Sequence, residues 1–404
     1  MSASTVQLSH IDLLADTWAQ GVPHDQFDLL RREAPVFWHE EPNGSGFWAV
    51  TKHADVKRIS RDPRTFSSAL GGTFIPDQSE EQVAILGLSV LNMDGPQHTR
   101  YRNIVARAFT PRTIAQLVAD IDRRAAKVVD DLVGRDECEF VNDVASKVPI
   151  QMICTMLGLP DELWPRMVEI TNQMIGSLSD EEQSGAAQLA AAEAYGLCAQ
   201  MAADRRANPR DDLMTALVEA EVDGERLSND ELDMFFITLI VAGNETTRNL
   251  LNQSMLAWID HPGEIDRLRA DETLWPTAVE EFLRYGTSIS NFRRTATTDT
   301  EIRGVPVKAG EKVVMYYTSA NRDEEVFADA HRLDVGRTPN DHVTFGGGGV
   351  HFCLGASLAR AQIRATMREL VTRIDEPQLA GPVQRLRSDF VAGVTAMPLR
   401  FVAR

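Results

Sequence analysis

The sequence predicts a mainly α-helical fold of the α+β class, in which one large domain over residues 1–404 combines many helices with small β-sheets. Apolar residues recur at helical spacing along most of the chain before Phe292. After Phe292 the sequence changes to short alternating segments such as TEIRGVPVKAGEKVVMYY, which are typical of strands joined by tight turns. No internal repeat or linker is evident, so we expect the helices and strands to share one domain.

Composition and charge narrow the class of function. A chain of 404 residues can bury a large core together with an internal cavity for a cofactor. The formal net charge of −18 argues against a nucleic-acid partner, because neutralising phosphates requires an excess of Lys and Arg. A small molecule is the expected partner.

The N-terminus and the cysteines predict a soluble, cytoplasmic protein without a membrane partner. MSASTVQLSHIDLLADTWAQ has no basic region followed by an apolar run, and no stretch of about 20 apolar residues occurs in the chain. The cysteines lie far apart and form no C-x-x-C or His/Cys cluster, so we expect reduced thiols and no structural zinc. They are Cys138, Cys154, Cys198 and Cys353.

The N-terminal part is predicted to alternate short helices and strands. Helices lie around Phe27–Leu30 and His53–Ile59, with strand-like VFWH and GFWAV between them. The loop FSSALGGTFIPDQSEEQ that follows is long enough to act as a lid or binding loop. Two helices are predicted between Thr99 and Val133, separated at FTPR, where Thr110 can cap and Pro111 suits a first turn.

Further helices are predicted in the middle of the chain, and strands return near its end. In DGERLSNDELDMFF, Ser228 and Glu231 form a capping-box pattern, and the helix that they begin can extend to about Trp258. The tail from Leu386 to Val402 is predicted to form strands. The other helices are expected at Val144–Leu157, Asp161–Met174, Glu182–Arg206 and after Pro209.

The stretch FGGGGVHFCLGASLAR joins a glycine loop to a cysteine at the start of the last predicted helix. Apolar residues recur at helical spacing after Cys353, and the helix is expected to end before Pro377. At a helix N-terminus the unpaired N–H groups and the helix dipole favour a thiolate, which is a nucleophile or a metal ligand. Gly346–Gly349 would allow the backbone to approach the sulfur and leave room for a flat cofactor.

From residue types alone, other interpretations of Cys353 stay open. A cysteine nucleophile would use His351 as its base, but no third orienting residue is evident. The loop does not cleanly match a phosphate loop, which would end in Lys-Ser/Thr or show G-x-G-x-x-G after a strand. Cys353 could also be a small buried hydrophobe, which is how we interpret Cys154 and Cys198.

The segment LIVAGNETTRN interrupts an apolar helix with a polar cluster. Burying these polar groups unpaired would cost several kcal/mol, so the cluster indicates either chemistry or a solvated face. Gly243 permits close packing or a local opening of the helix, and a freed hydroxyl can orient bound water or an oxygen species. Glu245 and Thr246 are about 100° apart on the helix, so they cannot share a face but can form a relay from solvent to a buried ligand.

Several charged residues could pair with each other or with a cofactor. Glu281 and Arg284 are spaced to pair on one helix face, whereas the similarly spaced Glu264 and Arg267 are interpreted as surface residues. Candidate cations for the acidic groups of a cofactor, each of which taken alone is better explained as a surface charge, are His98, Arg102, Arg294 and His351.

Taken together, these motifs resemble the cytochrome P450 family of heme-thiolate monooxygenases. The family's order is a His/Arg helix, A-G-x-E-T-T, E-x-x-R, an arginine-containing meander and the glycine-rich cysteine loop, and the resemblance covers nearly the whole chain. It implies a P450-type domain, a helix bundle around heme. One departure is that the loop usually has an aromatic residue seven positions before the cysteine, where this chain has Gly346, while Phe345 stands eight before.

The resemblance implies that Cys353 is the proximal iron ligand of heme b (iron protoporphyrin IX), with O2 as co-substrate. Thiolate donation pushes electron density onto iron, which favours O–O cleavage and an oxidant able to take hydrogen from C–H bonds. Thr246 and Glu245 would then serve oxygen activation and proton delivery. Heme contacts are implied for His98, Arg102, Arg294, His351, Phe345, Gly348 and Ala242, and a structural ion pair for Glu281 and Arg284 with Arg337.

Within the family, the chain is similar to bacterial members that oxidise sterol side chains and branched alkyl chains, most closely the cholesterol side-chain terminal hydroxylases. This similarity lies in the lengthened cysteine loop and in the segments LNMDGPQHTRYRNIVARAFTPR and VAGNETTRN. It implies a hydrophobic substrate, a steroid or an isoprenoid or branched alkyl chain, with a terpenoid or macrocyclic secondary metabolite as the alternative. The expected pocket residues are Phe74, Ile75, Leu88, Val90, Val241, Ile289, Phe292 and Val394.

The resemblance also implies redox partners. Electrons are expected from NAD(P)H through a ferredoxin reductase and a ferredoxin, and the protein is expected to be a monomer. A heme-binding sensor or carrier without turnover stays open as a different class, as does a non-hydroxylating heme-thiolate reaction. A cationic patch on the thiolate side could dock an acidic ferredoxin, or could be a solvated helix surface, and its residues are Arg107, Arg112, Arg360, Arg364 and Arg368.

Overall fold

The computed structural model describes residues 7–14, 16–176 and 184–404. The α-helices of this part, numbered α1 to α14 in chain order, are His24–Glu33, His53–Ser60, Glu80–Leu86, Gly95–Ala106, Pro111–Asp130, Lys147–Leu157, Trp164–Gly176, Ser184–Ala207, Leu213–Glu219, Asn229–Asp260, Pro262–Ala270, Trp275–Tyr285, Tyr317–Ala320 and Ala356–Arg373. The predicted helix Glu182–Arg206 is α8, and its predicted residues 182 and 183 lie outside the described residues.

The strands are short and gather into small sheets. Numbered β1 to β14, they are Val36–His39, Phe47–Val50, Phe66–Ser67, Glu137–Glu139, Glu221–Val222, Glu225–Arg226, Asn291–Ala296, Thr300–Ile302, Val305–Val307, Lys312–Tyr316, Ile374–Leu379, Gln384–Arg385, Val394–Ala396 and Pro398–Ala403. A five-stranded sheet has the order β1-β2-β10-β7-β3, and a three-stranded sheet has the order β11-β14-β4. The predicted mainly α-helical fold with small β-sheets is confirmed.

The pairing of β7 with β10 sends two adjacent arginines in opposite directions. The strands are antiparallel, with Arg293 opposite Val314 and Arg294 opposite Val313. Successive side chains of a strand point to opposite faces of the sheet. The consecutive arginines therefore reach different parts of the protein, and only one of them can lie on the side of the candidate site.

The long helix α10 runs through the middle of the helical part. Its first turn is fixed by the predicted capping box, in which the Glu231 N–H donates to Ser228 Oγ at 3.2 Å and the Ser228 N–H donates to Glu231 Oε2 at 2.7 Å. The helix packs against α6, α7, α8, α12 and α14. Polar side chains in its middle are therefore surrounded by other helices.

Gly243 allows α10 to lie close to α6. A β-carbon at Gly243 would stand 2.9 Å from Cγ1 of Ile153, which is closer than real β-carbons approach. The backbone of α10 stays helical through this residue. Of the two uses predicted for Gly243, close packing is therefore observed, and a local opening of the helix is not.

The sequence predicted several helix boundaries from their capping residues but missed some short elements. Thr110 caps α5 as predicted, with its Oγ1 accepting the Thr113 N–H at 3.2 Å. The predicted lid loop ends in the first turn of α3, whose capping box is formed by Ser79 and Gln82. The short helix α11 was also missed, since its nine residues, beginning at Pro262, carry few apolar positions.

The interpretation of Glu264 as a surface residue is wrong. Its side chain is buried, and its carboxylate accepts the Val335 N–H at 3.2 Å and binds Arg267 at 2.6 Å and Arg332 at 3.4 Å. Burying a carboxylate is costly unless it is paired. Glu264 therefore joins α11 to the meander before the cysteine loop, a contact that its spacing from Arg267 could not reveal.

Among the described residues, no helix combines the length and the apolar character that crossing a bilayer requires.

Candidate active site

Cys353 lies three residues before α14, at the end of the glycine loop. Its N–H donates to the Phe345 carbonyl at 2.9 Å, which closes the loop. The Cys353 residue is exposed, whereas Cys138, Cys154 and Cys198 are buried. Burial raises the pKa of the Cys154 thiol to about 12, as expected for an inert core cysteine. The interpretation of Cys353 as a buried hydrophobe is therefore wrong.

The surroundings of the Cys353 sulfur act on its charge in opposite directions. Although the residue is exposed, protein atoms crowd the sulfur, and the resulting desolvation raises the pKa of the thiol. The Gly355 N–H, which hydrogen bonds the sulfur, and the cations Arg102 and Arg360 lower the pKa. The net pKa is raised, so a lasting thiolate here needs a further positive charge, such as a metal ion supplies.

Three of the four glycines, Gly347–Gly349, fit the loop against α2 and the residue that follows it rather than against the sulfur. Gly346, Gly348 and Gly349 have φ of +93°, +93° and +79°, which favour glycine. A β-carbon at Gly347 would lie 2.6 Å from Ser60 Oγ, and one at Gly349 would overlap the Ser60 carbonyl oxygen. The N–H that reaches the sulfur belongs to Gly355, so the predicted approach of the Gly346–Gly349 backbone is not observed.

Phe345 keeps a buried position despite standing eight residues before Cys353. Its ring lies 4.6 Å below the Arg360 guanidinium and 6.3 Å from the ring of Phe352. Arg360 is held by an ion pair with Glu280 at 2.7 Å. The extra loop residue is therefore absorbed by the glycines, while the aromatic ring stays packed beside the cysteine.

Four basic side chains from three parts of the chain meet beside the cysteine loop. The rings of His98 on α4 and His351 are 4.2 Å apart. Arg102, one turn after His98, donates to the Phe352 carbonyl at 2.6 Å, and the buried Arg294 donates to the Arg293 carbonyl at 2.8 Å. These are the four cations that the sequence analysis selected, and the structure brings them together.

This basic cluster has an excess of positive charge. Burial, followed by Arg294, His98 and Arg102, lowers the pKa of His351 to about 2. Burial, followed by Arg102, lowers the pKa of His98 to about 4. In the described part of the chain neither arginine has a carboxylate at ion-pair distance, and the buried Nδ1 of His98 has no hydrogen-bond partner. The cluster therefore fits a ligand that brings its own acidic groups.

The middle of α10 presents small and hydroxyl residues on one side. Ala242 is exposed although its helix is surrounded by other helices, and Thr246 is half-buried. The Thr246 hydroxyl donates to the Ala242 carbonyl at 2.7 Å, which leaves its oxygen lone pairs free to accept another hydrogen bond. This side of α10 can therefore contact a bound ligand.

The opposite side of this segment is buried and paired, so the alternative of a solvated face is wrong. Asn244 and Glu245 are almost fully buried. Asn244 Nδ2 donates to Thr171 Oγ1 on α7 at 2.9 Å. The Glu245 carboxylate forms an ion pair with Arg248 and accepts a bond from Asn249 Nδ2 at 2.7 Å. Glu245 is therefore held within a hydrogen-bonded network.

Glu281 and Arg284 form a buried ion pair on α12. Both side chains are fully buried, and the guanidinium donates two bonds to the carboxylate, at 2.8 and 2.7 Å. Arg337 approaches the same carboxylate at 3.1 Å, and the Asp334 N–H donates to it at 2.9 Å. Arg284 also donates to the Asn321 carbonyl at 2.8 Å. The pair thus fixes the meander against α12.

The residues expected to line a substrate pocket fall into two groups. Ile75 and Val394 are buried in core clusters, and on β13 it is the next residue, Thr395, that is exposed. These two residues therefore offer almost no accessible surface, and their place in a pocket stays a prediction. The others are partly buried, as a pocket wall requires: Phe74, Leu88, Val90, Val241, Ile289 and Phe292.

Phe390 is an aromatic residue of this region that the sequence analysis missed. Its ring is 5.0 Å from Phe74 and 5.3 Å from Phe292, with both pairs in edge-to-face arrangements. It is brought there by the bridge between Ile289 and Val391. The only sequence signal was its position four residues before Val394, one of the expected pocket residues.

Comparison with known proteins agrees with the motifs. The cytochrome P450 family model matches residues 138–375. A methyl-branched lipid omega-hydroxylase of Mycobacterium tuberculosis is 42% identical over 95% of this chain and 92% of its own. A steroid C26-monooxygenase of Rhodococcus jostii is 38% identical over 94% of this chain and 82% of its own.

Solved structures resemble the fold over its whole length. A Mycobacterium marinum cytochrome P450 in complex with pseudoionone has a TM-score of 0.90 and 38% identity, covering 99% of this chain and 100% of its own. A cytochrome P450 from Novosphingobium aromaticivorans has a TM-score of 0.85 and 33% identity, covering 96% of each chain. With the order of its motifs, the exposed cysteine before α14 and these relatives, the chain belongs to the cytochrome P450 family.

Proposed function

We propose that this monooxygenase hydroxylates the end of a hydrophobic chain, the side chain of a steroid or a methyl-branched lipid. The observation that carries the proposal is the exposed Cys353, to which the Gly355 N–H hydrogen bonds. Beside it lies the basic cluster, whose arginines have no carboxylate at ion-pair distance in the described part of the chain. The relatives named for branched-lipid omega-hydroxylation and steroid C26-monooxygenation support the substrate class. A terpenoid or macrocyclic metabolite is the alternative, which the pseudoionone complex of a structural neighbour supports.

The residues present fit a heme-thiolate site. Heme supplies an iron that, with a cysteine thiolate bound, activates dioxygen. Cys353 would be the iron ligand, and heme b is the form we propose. The basic cluster would bind the propionates through His98, Arg102, Arg294 and His351, with further contacts from Phe345, Gly348 and Ala242.

Two residues of α10 would handle oxygen and protons. The Thr246 hydroxyl, which already donates to Ala242, would accept or pass on a hydrogen bond at the oxygen side of the site. The buried Glu245 carboxylate, whose orientation is fixed by Arg248 and Asn249, would relay the protons that the reaction consumes. These roles are proposals, supported by the burial and pairing of Glu245.

Substrate binding tests the proposal directly. The heme-loaded protein would be titrated with cholesterol, phytanic acid and pseudoionone, and with citrate as a polar control, while the heme spin state is followed. We expect the apolar probes to shift the spin state because burial of apolar area drives binding. A shift by citrate and by none of the apolar probes would contradict the substrate class.

Product analysis separates an oxygenase from a sensor. With NAD(P)H and redox partners, the enzyme should consume NAD(P)H in the presence of substrate and form a product hydroxylated at a chain terminus. A heme-binding sensor or carrier would bind the same probes without substrate-dependent NAD(P)H consumption.

We further propose that a ferredoxin, supplied by its reductase, docks on the side of the cysteine loop. Arg360 pairs with Glu280, and Arg368 pairs with Glu272. Fewer arginines of the predicted patch are therefore available to bind a partner. The exposed residues of the patch without an ion-pair partner in the described chain are Arg107, Arg112 and Arg364.

Charge reversal tests this docking site. Arg112→Glu and Arg364→Glu should slow reduction by an acidic ferredoxin, and the effect should weaken at high salt. Arg206→Glu, at the exposed end of α8, is the matched control. Equal reduction rates in all variants would contradict the docking of a ferredoxin at this patch.

We also propose that the protein is a monomer in the cytoplasm. The free thiols support the reducing compartment.

A further inference from the structure

A row of side-chain amides on α10 holds the backbone of the turn at residues 392–394. Asn252 Nδ2 donates to the Val394 carbonyl at 3.4 Å, and Asn249 Oδ1 accepts the Val394 N–H at 3.0 Å. Both polar groups of one backbone residue are therefore bound by the same helix. Asn249 and Asn252 are fully buried, so water does not compete for these bonds.

The 392–394 turn follows Phe390, whose ring contacts Phe74 and Phe292 on the expected substrate side. The Ala392 N–H donates to the Ser288 carbonyl at 2.8 Å, and the neighbouring Val391 forms a bridge with Ile289. Gln253 Nε2 adds a bond to the Ala392 carbonyl at 3.1 Å. A bound substrate that displaced this turn would therefore change the hydrogen bonds that the amides of α10 make with it.

Asn249 differs from the other two amides because its second group binds Glu245. Its Nδ2 donates to Glu245 Oε1 at 2.7 Å, one helical turn earlier. A carboxylate can only accept and a backbone N–H can only donate, so the two contacts fix which way the amide points. One side chain thus joins the proposed proton-delivery carboxylate to the 392–394 turn.

Glu245 has a second partner at the same carboxylate oxygen. Arg248 donates to Glu245 Oε1, the oxygen that Asn249 also binds, and to Asn172 on α7. Without the Asn249 bond, the carboxylate would be oriented by Arg248 alone. The position of Glu245 therefore depends on two contacts, of which only the one through Asn249 leads to the substrate side.

We propose that Asn249 is a positioning residue that couples the 392–394 turn, and hence substrate occupancy, to the orientation of Glu245. The inference rests on the proposed proton-delivery role of Glu245. Its consequence is that Asn249 controls two separable quantities, the affinity for substrate and the fraction of NAD(P)H electrons recovered in product.

Three single variants separate these quantities. Asn249→Leu removes both contacts with little change of volume, and Gln253→Leu is the matched control that loosens the same turn without touching Glu245. Glu245→Gln removes the carboxylate while leaving the turn bound. Each is tested as the heme-loaded protein with whichever of cholesterol, phytanic acid and pseudoionone the wild type hydroxylates, and carbon monoxide spectra and circular dichroism report on folding.

The proposal predicts a specific pattern. Asn249→Leu and Gln253→Leu each weaken substrate binding by about fivefold to tenfold, as expected for the loss of a hydrogen bond that holds the 392–394 turn. Asn249→Leu also lowers electron recovery in product by roughly threefold or more, whereas Gln253→Leu does not. In the Glu245→Gln background, Asn249→Leu still weakens binding but lowers electron recovery no further, because the residue acts through Glu245.

A second variant covers the case in which Asn249→Leu fails to fold. Asn249→Asp keeps an acceptor for the Val394 N–H but sets a carboxyl against Glu245, near Arg248. At low pH a shared proton can restore the contact, and at higher pH the two carboxylates repel. Electron recovery in this variant should fall as the pH rises, with substrate affinity little changed.

The outcomes distinguish this inference from the proposed function. If the wild type binds none of the probes, the proposed substrate class fails. If the wild type turns over but the Asn249 variants keep full electron recovery at all pH values, or if losses from Asn249→Leu and Glu245→Gln simply add, the coupling role of Asn249 is overturned.

Discussion

At the scale of single residues, Gly243 has a role that can be measured by adding one methyl group. Its β-carbon would stand 2.9 Å from Ile153 in the contact between α10 and α6. We expect Gly243→Ala to lower the free energy of unfolding by about 1–3 kcal/mol, because overpacking outweighs the gain in helix propensity.

A second helical glycine provides the control. Gly196 on α8 has open space where a β-carbon would lie, so Gly196→Ala should raise the free energy of unfolding by up to about 1 kcal/mol. Denaturant unfolding of both variants checks the comparison. Similar stabilisation by both substitutions would show that the contact with Ile153 adapts.

Residue types and local spacing predicted the site residues whose signals are local. Cys353, Glu281 and Arg284 stand in short motifs, and the structure shows the exposed thiol and the buried pair. Asn249 and Phe390 could not be found in this way. The partner of Asn249 lies 145 positions away, and nothing in the sequence near either end indicates that contact.

At the scale of elements, the buried pair of Glu281 and Arg284 within α12 should be the main point at which α12 holds the meander. Glu281→Gln leaves the fully buried Arg284 without its charge partner, and also weakens the contacts of Arg337. We expect a loss of about 3–5 kcal/mol in the free energy of unfolding, the usual cost of breaking a buried ion pair from one side.

An exposed pair of the same residue types is the matched control. Glu137 and Arg400 pair at 2.7 Å on β4 and β14, with side chains more than half exposed. Glu137→Gln should change the thermal midpoint little, since exposed pairs contribute little. If both substitutions shift the midpoint equally, the Glu281 pair does not hold the meander.

Element boundaries were predictable where capping residues mark them. The capping box of Ser228 and the cap of Thr110 stand where the sequence indicated. The predicted helix start at Val144 is instead a π-helical turn at Val141–Ala145, with α6 beginning at Lys147. Such a turn has no distinct sequence signal, and its form depends on the packing of neighbouring elements.

At the scale of the whole molecule, buried histidines make the stability depend on pH. Burial, followed by the charges of Arg322 and His331, lowers the pKa of His24 well below its usual value. Burial also lowers the pKa values of His39 and His53. Below about pH 6.5 the unfolded chain binds protons that the folded chain does not, so stability falls as the pH falls.

The contribution of His24 to the pH dependence of stability can be measured. The thermal midpoint should be lower at pH 5.5 than at pH 7.5, and the decrease should be smaller in His24→Gln. Each such histidine contributes up to about 1.4 kcal/mol per pH unit in this window. Midpoints that are equal at the two pH values would contradict the assignment of neutral, buried histidines.

Whole-molecule architecture was the most predictable level, and the substrate side was the least. The order of motifs along the chain indicated the family, because that order is shared by its members. The expected pocket included Ile75 and Val394, which the structure buries in the core. Which side of a short strand faces a pocket depends on how distant segments pair, and the sequence alone does not contain that information.

The central claim is that the Cys353 thiolate binds heme iron. Reduced protein treated with carbon monoxide tests it most directly, through the position of the main heme absorption band. We expect the strongly red-shifted band of thiolate-ligated heme in the wild type and its loss in a folded, heme-loaded Cys353→His variant. A folded, heme-loaded wild type without the red-shifted band would contradict it.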